Sequence, residues 1–164
     1  MKILLISDSH YKSITKIDLS EYDYILHAGD ISRSDIDFLD LEPHSYCVRG
    51  NCDYDSNKEL ENYITIEGKT FFLTHSHLYG SKEGYSGIIA KGKSLGCDYV
   101  VFGHTHVPTA FYEGDTLFIN PGSFMEGSYM VINDDKLYHY QKKSLWTKAE
   151  TYKKTLLCKL KKPF

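Results

Sequence analysis

Apolar residues along the chain fall in short runs, each followed by a polar turn. Runs at residues 2–7, 24–27, 45–49, 70–74 and 99–102 are rich in leucine, β-branched and aromatic side chains. Continuous apolar runs of this length are typical of buried strands. The pattern therefore predicts a domain built around buried β-structure.

Two segments between these runs have the spacing of helices. Residues 32–41 place apolar side chains three apart among acidic ones. Residues 84–95 carry a weaker pattern that ends at Gly96, a residue suited to follow a helix. The second half of the chain continues as short strands at residues 109–112, 117–120, 129–133 and 136–141. We therefore predict one α/β domain over residues 1–141, with two sheets packed as a layered sandwich.

The last part of the chain, residues 142–164, differs in charge from the rest. It holds eight lysines and one acidic residue, a net of +7, which leaves −10 for residues 1–141 and −3 for the whole chain. Its larger apolar residues recur at steps of three and four between residues 145 and 160, which predicts a short amphipathic helix. Such a helix could dock on the acidic body or on a second subunit of a homo-oligomer. The alternatives are a patch that contacts a membrane surface or nucleic acid, and a disordered, solubilising end.

Composition limits where the protein works and what it binds. The apolar stretch before Asp8 is too short for a signal peptide, and no run approaches the ~18 apolar residues of a membrane span. The four cysteines lack metal or redox spacing and are expected to be reduced thiols. We expect a cytoplasmic protein without membrane contact. The acidic body disfavours nucleic acid as a partner, except as a substrate.

Five of the predicted strands are followed by metal-binding residue types. Taken singly, each has a simpler role: an aspartate can cap a helix, an asparagine can form a turn, and a histidine can be an ordinary surface residue. Their repetition at strand ends predicts one site instead, because ligands of open α/β folds gather beyond the carboxyl ends of strands. The residues are Asp8, His10, Asp30, Asn51, His75, His104 and His106.

These seven nitrogen and oxygen donors are enough for two divalent ions. Mixed donors of this kind suit Mn, Fe, Zn, Co or Ni. Two ions about 3.5–4 Å apart can hold the attacking and leaving oxygens of a phosphoryl displacement. The sequence therefore favours metal-dependent phosphoester chemistry.

Six motifs in a fixed order give a resemblance to a known family. DSH, HAGD, RGNCD, THSH, GHTH and NPGS resemble the calcineurin-like metallophosphoesterases, and RGNCD is shared with their small single-domain phosphodiesterase branch. The resemblance implies a four-layer sandwich of two mixed β-sheets flanked by helices. It also implies hydrolysis of a small or exposed phosphate ester by a hydroxide that bridges two metals, Mn being the expected ion, with Ni, Co, Fe or Zn as alternatives.

The same resemblance implies a role for each donor. Asp8, His10, Asp30 and His106 would bind the first ion, and Asn51, His75 and His104 would bind the second with Asp30 shared. Asn51, Cys52, His75 and His77 would form the catalytic group, with Asn51 and His77 contacting the substrate phosphate.

Cys52 departs from the common family pattern, in which a histidine stands at this position as the proposed general acid. With a reference pKa of ~8.5, a thiol is a less well matched acid near neutral pH. Cys52 is therefore either a weak general acid or a small buried residue that only packs.

Two other functions remain open on the sequence. The retromer subunit built on this fold is an interaction scaffold with a degraded site, and a nuclease acting on RNA ends could use the lysine-rich tail to hold the backbone. The full set of seven donors favours an enzyme over a scaffold. A nuclease predicts a steep salt dependence.

Overall fold

The computed structural model describes residues 1–54 and 56–164, which form two β-sheets and two α-helices. The helices are α1 (Arg33–Leu41) and α2 (Ser86–Leu95). In chain order the strands are β1 (Lys2–Ile6), β2 (Tyr24–His27), β3 (Ser45–Cys47), β4 (Glu61–Ile66), β5 (Lys69–Thr74), β6 (Tyr99–Val101), β7 (Thr109–Glu113), β8 (Thr116–Asn120), β9 (Ser128–Asn133), β10 (Lys136–Lys142) and β11 (Tyr152–Lys159).

Both sheets are mixed, with parallel strands at their centres. The first has six strands in the order β11-β10-β9-β1-β2-β3, of which β1, β2 and β3 are parallel. The second has five in the order β4-β5-β6-β8-β7, of which β5, β6 and β8 are parallel. The carboxyl ends of the parallel strands within each sheet therefore lie on the same edge of that sheet.

Three apolar clusters separate four layers. Ile3 and Leu5 of β1 point into the cluster between the sheets, while Leu4 and Ile6 pack on the α1 side, because successive side chains of a strand alternate between its two faces. A third cluster lies behind the second sheet, where Ile88 of α2 packs on that sheet. The predicted four-layer sandwich of two mixed sheets flanked by helices is confirmed.

The predicted helices are present within two residues of their expected bounds, and Gly96 follows α2 as predicted. Its φ of +62° is a left-handed conformation that glycine adopts without penalty, and its amide donates to Gly92 O at 3.1 Å. Gly92 lets the helix approach the sheet, because a Cβ there would lie 2.7 Å from the Phe118 ring.

The helix predicted in the basic tail is wrong. Residues 152–159 form β11, which pairs antiparallel with the free edge of β10. As a strand, this segment pairs with the edge of β10, which a helix would leave open. After the strand, Leu160 enters the core between the sheets and the Phe164 ring stacks on Tyr99 at 5.9 Å.

The helices are all short. Within the described ranges, none of them has the length and hydropathy needed to cross a bilayer.

Two leucines of the tail provide a matched test of this arrangement. A helix would put Leu156 and Leu160 on one face, but Leu160 is 5% exposed and Leu156 is 53% exposed. We expect Leu160→Ala to lower the free energy of unfolding by about 2–5 kcal/mol, as large-to-small core changes do. Leu156→Ala should change it by less than about 0.5 kcal/mol. Urea denaturation measures both, and equal losses would contradict the strand.

Candidate metal centre

Two buried carboxylates form the middle of the site. Asp8 follows β1 and is 0% exposed, and Asp30 follows β2 and is 3% exposed. His10 Nε2 lies 3.7 Å from both Asp8 Oδ1 and Asp30 Oδ2. His106 Nε2 lies 3.1 Å from Asp8 Oδ1, and His75 Nε2 lies 3.2 Å from Asp30 Oδ2. Four strand ends from two sheets thus meet at one place.

Asn51 joins the remaining donors to this cluster. Its Oδ1 is 2.9 Å from His75 Nε2 and 3.0 Å from His104 Nδ1. The seven residues predicted from strand ends are therefore gathered in one group. Their assignment to particular ions stays a prediction.

The backbone that carries these donors is unusual. Five of the predicted ligands are in left-handed conformations, with φ between +44° and +73°. The conformation is uncommon for residues other than glycine, and costs roughly 1 kcal/mol or more for each. Strain of this kind clusters at functional sites, where surrounding contacts enforce it. The five are Asp8, His10, Asp30, His104 and His106.

Glycines let the loops approach one another closely. A Cβ on Gly50 would lie 2.1 Å from Asp30 Oδ1, and a Cβ on Gly103 would lie 2.0 Å from Ser7 Oγ and 2.8 Å from Asp8 Oδ2. Any larger residue would displace a central carboxylate or its neighbour. The glycines of RGNCD and GHTH are therefore explained by packing against the site.

Sequence reasoning gave no role to Asp53, yet its carboxylate holds two of the loops. Oδ2 accepts from Asp30 N and Gly50 N, both at 2.8 Å, and Oδ1 accepts from Ile31 N at 3.0 Å. Its partners are up to 23 residues away, so no local pattern marks them.

His27 was also missed, although a histidine at the end of an apolar strand was a visible signal. Its Nδ1 accepts from Gly29 N at 3.1 Å, which leaves Nε2–H to donate to Ser9 Oγ at 2.9 Å. Ser9 Oγ also accepts from Ser32 N at 3.0 Å. Burial lowers the pKa of His27 to about 3, so the ring is neutral and links the loops after β1 and β2.

Contacts within the cluster shift the ionisation of its members. Burial would raise the pKa of Asp8, but contacts with His10 and His106 outweigh burial and hold that pKa well below its usual range. The same contacts with Asp8 raise the pKa of His10 and of His106. Burial lowers the pKa of His104 to about 4, which leaves a neutral imidazole suited to metal binding.

The hydrogen bonding around His75 calls for a cation. His75 Nδ1 lies 2.7 Å from Ala28 O, and a carbonyl can only accept, so Nδ1 carries a proton. Nε2 then points a lone pair at Asn51 Oδ1 and Asp30 Oδ2, which are both acceptors. Burial would lower the pKa of His75, but the contact with Asp30 and the charge of Asp8 raise it. Either a second proton or a metal ion is required there.

Two further atoms show that the site fits metal ions. Among the described residues, Asp8 Oδ1 and His10 Nε2 are buried and have no hydrogen-bond partner. Buried polar atoms are rarely left in this state. Three groups of nearby donors could each hold an ion: Asp8, His10 and His106; Asp8, Asp30 and His75; and His10, Asp30 and Cys52. The donor set therefore agrees with a divalent metal centre.

With this geometry, comparison with known proteins decides the family. The profile of the calcineurin-like phosphoesterase superfamily domain matches residues 1–133. The chain belongs to that superfamily. The family resemblance found in the motifs is thereby confirmed, and a metal-dependent phosphoesterase function is supported.

Relatives in the superfamily agree with this placement. The chain is 34% identical over 128 residues to the probable metallophosphoesterase YsnB of Bacillus subtilis, covering 75% of each protein. It is 32% identical over 104 residues to the phosphodiesterase YfcE of Escherichia coli K12, covering 55% of this chain and 53% of YfcE. These relatives support hydrolase activity.

A solved structure shows the same fold at lower identity. Vps29 of Entamoeba histolytica, complexed with zinc, superimposes with a TM-score of 0.78 at 22% identity, covering 96% of this chain and 98% of that protein. At this identity the likeness is one of fold alone.

Cys52 and His77 lie at the border of the cluster. The interpretation of Cys52 as a buried packing residue is wrong, because the loop after β3 leaves its side chain exposed. The His77 ring centre lies 5.5 Å from that of His75 and 6.1 Å from that of His104. Its Nδ1 is buried and unpartnered within the described part of the chain.

Asp53 gives a test of how the loops are held. We expect Asp53→Asn to weaken Mn²⁺ binding by about 10–100-fold, as the loss of outer partners of metal ligands does. The side-chain NH₂ of the new asparagine would face a backbone N–H that donates to the Asp53 carboxylate in the wild type, so one hydrogen bond would be replaced by two opposed donors. Asp23→Asn is the matched control. Asp23 is exposed and belongs to no part of the site, and its carboxylate accepts a 2.7 Å hydrogen bond from Lys2 N. Calorimetric titration measures both, and unchanged affinity in Asp53→Asn would contradict this role.

Proposed function

We propose that the protein is a phosphodiesterase that works with two divalent ions, Mn being preferred. The observation that carries this proposal is the gathering of seven donors, two of them the buried carboxylates, with Asp8 Oδ1 and His10 Nε2 lacking hydrogen bonds among the described residues. The family and the phosphodiesterase name of YfcE support the reaction class.

Each ion would take four donors. Asp8, His10, Asp30 and His106 would hold one, and Asp30, Asn51, His75 and His104 would hold the other, with the Asp30 carboxylate shared. When bound there, the ions would lower the pKa of a coordinated water, so that it is a nucleophile near neutral pH, and would neutralise charge on the phosphoryl oxygens.

Residues at the border of the cluster would handle the substrate. Asn51 is exposed, so its side chain can orient a phosphate oxygen, and His77 lies on the same side of the cluster. Partial burial and the neighbouring Asp30 raise the pKa of the Cys52 thiol, so it holds a proton at neutral pH. Cys52 can therefore donate that proton to the leaving oxygen.

A cavity of about 390 Å³ beside Asp30 provides room for the ester group. His10, Tyr11, Arg33 and Cys52 are among the residues that line it. Tyr11 is 96% exposed, which leaves its ring free to cover an aromatic or apolar substituent. The cavity favours a small diester over a bulky polymer.

The free, exposed thiol of Cys52 supports the expected cytoplasmic location. Exposed thiols persist in reducing compartments and are lost to oxidation elsewhere.

One observation favours a scaffold as the second candidate. Trp146, Leu156 and Leu157 are exposed apolar side chains in and before β11. A partner protein or a second copy could cover them. In a pure scaffold, however, the strained loops and buried carboxylates would have no use.

Metal-restored hydrolysis tests the proposal directly. The chelator-stripped protein should hydrolyse bis(p-nitrophenyl) phosphate when Mn²⁺ is returned, and faster than it hydrolyses p-nitrophenyl phosphate. Asp30→Asn should lose at least about 100-fold in kcat/KM, because even outer partners of metal ligands account for up to that factor. Asp23→Asn should stay near the wild-type value.

Two results would count against the phosphodiesterase. Full activity in Asp30→Asn would remove Asp30 as the shared ligand, and no hydrolysis with any metal despite bound ions would favour the scaffold. A rate that falls steeply with salt would favour the nuclease.

The thiol has its own test. We expect Cys52→Ser to slow hydrolysis of a phenyl diester more than that of the p-nitrophenyl diester, because p-nitrophenolate leaves without a proton. The ratio of the two rates with Mn²⁺ is the measurement. Equal slowing of both substrates would exclude Cys52 as the proton donor.

A further inference from the structure

Cys52 stands in a group that the proposed two-ion assignment does not use. The donor atoms of His10, Asp30 and Cys52 all lie within 4.8 Å of one another. Thiolate, imidazole and carboxylate together form a donor set typical of zinc and other thiophilic ions, whereas the harder Mn²⁺ does not favour a thiolate ligand. The chain therefore presents two kinds of donor around His10 and Asp30.

The position of Cys52 in this group is fixed by its backbone. Cys52 N donates to Asp30 Oδ1 at 2.8 Å, which holds the residue beside the carboxylate while its side chain stays exposed. Donors of one tetrahedral zinc ion lie roughly 3.3–3.8 Å apart, given bond lengths near 2.0–2.3 Å. With donor atoms within 4.8 Å of one another, a rotation of the exposed side chain that moves Sγ by up to about 1 Å completes the set.

Neighbouring buried atoms also call for an ion beside this group. Asp8 Oδ1 is fully buried and lies 3.1 Å from His106 Nε2 and 3.7 Å from His10 Nε2, but no contact to it among the described residues has hydrogen-bond geometry, and His10 Nε2 is also unpartnered. Cys52 is thus not an isolated cysteine. It is the most exposed member of a cluster in which two buried polar atoms lack hydrogen bonds among the described residues.

We propose that Cys52, His10 and Asp30 form a soft-metal site that captures thiophilic divalent ions, such as Zn²⁺ or Cd²⁺, from solvent. As the Sγ–metal bond forms, the thiol proton passes to the buffer, and no electron is transferred. With Mn²⁺ the thiol stays unbound.

The site has a consequence for catalysis that rests on the proposed function. A thiol that has given up its proton to bind Zn²⁺ or Cd²⁺ has none to donate to a leaving oxygen. Thiophilic ions would therefore occupy the centre without supporting hydrolysis of esters whose leaving oxygen needs a proton. The protein would in this way discriminate among metals through one side chain.

Cadmium titration tests the site without any substrate. Chelator-stripped protein, kept reduced with a phosphine, is titrated with Cd²⁺ while the ultraviolet thiolate-to-cadmium charge-transfer band is recorded. The wild type should give this band at stoichiometric Cd²⁺, and Mn²⁺ should give none. Cys52→Ser should lose the band. Cys158→Ser is the control and should keep it, because Cys158 is half-buried on β11 and belongs to none of the three donor groups.

A second variant separates the cluster from a lone reactive thiol. His10→Gln should keep Cys52 accessible. It should raise the Cd²⁺ concentration at which the band is half formed by about tenfold or more. The proposal is overturned if the wild type shows no band, if Cys52→Ser keeps it, or if His10→Gln binds as tightly as the wild type. Because the readout is absorption, a band in a protein without diesterase activity would leave the soft-metal site standing and reject only the proposed function.

Discussion

Burial of two carboxylates where the sheets meet is the constraint on which the rest of the structure depends. A buried charge without compensation is costly, and Asp8 and Asp30 are both almost inaccessible to water. The histidines around them compensate this buried charge. The loops position those histidines, and the glycines let the loops approach one another. The two apolar sheets supply the rigid frame, since parallel strand ends bring distant residues to one edge.

The support around the centre is built from backbone amides. Asp53 collects three N–H groups from the loops after β2 and β3, and neutral His27 joins the loops after β1 and β2 through Ser9. These residues touch no predicted ion, yet they set the directions in which the central donors point. Charge-assisted bonds to backbone amides are strong and geometrically strict, so the cluster is positioned before any ion arrives.

Local patterns were enough for the strands before the tail, for α1 and α2, and for bringing the seven predicted donors together, because each of them lies in the turn after an apolar run. They were not enough for the tail, where the spacing of Leu156 and Leu160 imitates a helix although the edge of β10 decides the conformation. The exposure of Cys52 was equally hidden, since cysteine is usually buried and only the loop path turns it outward. Asp53 escaped notice because its amide partners Asp30 and Ile31 are far away in the chain.

The left-handed backbone at five donors limits how this sequence can drift. Aspartate and histidine tolerate the conformation better than most residues, so the side chains that can bind metal are also ones that these loops accept. Glycine would tolerate it better still, and selection for folding alone would favour glycine at each position by roughly 1 kcal/mol. A lineage that stopped using the ions would therefore shed its donors along a thermodynamically downhill route.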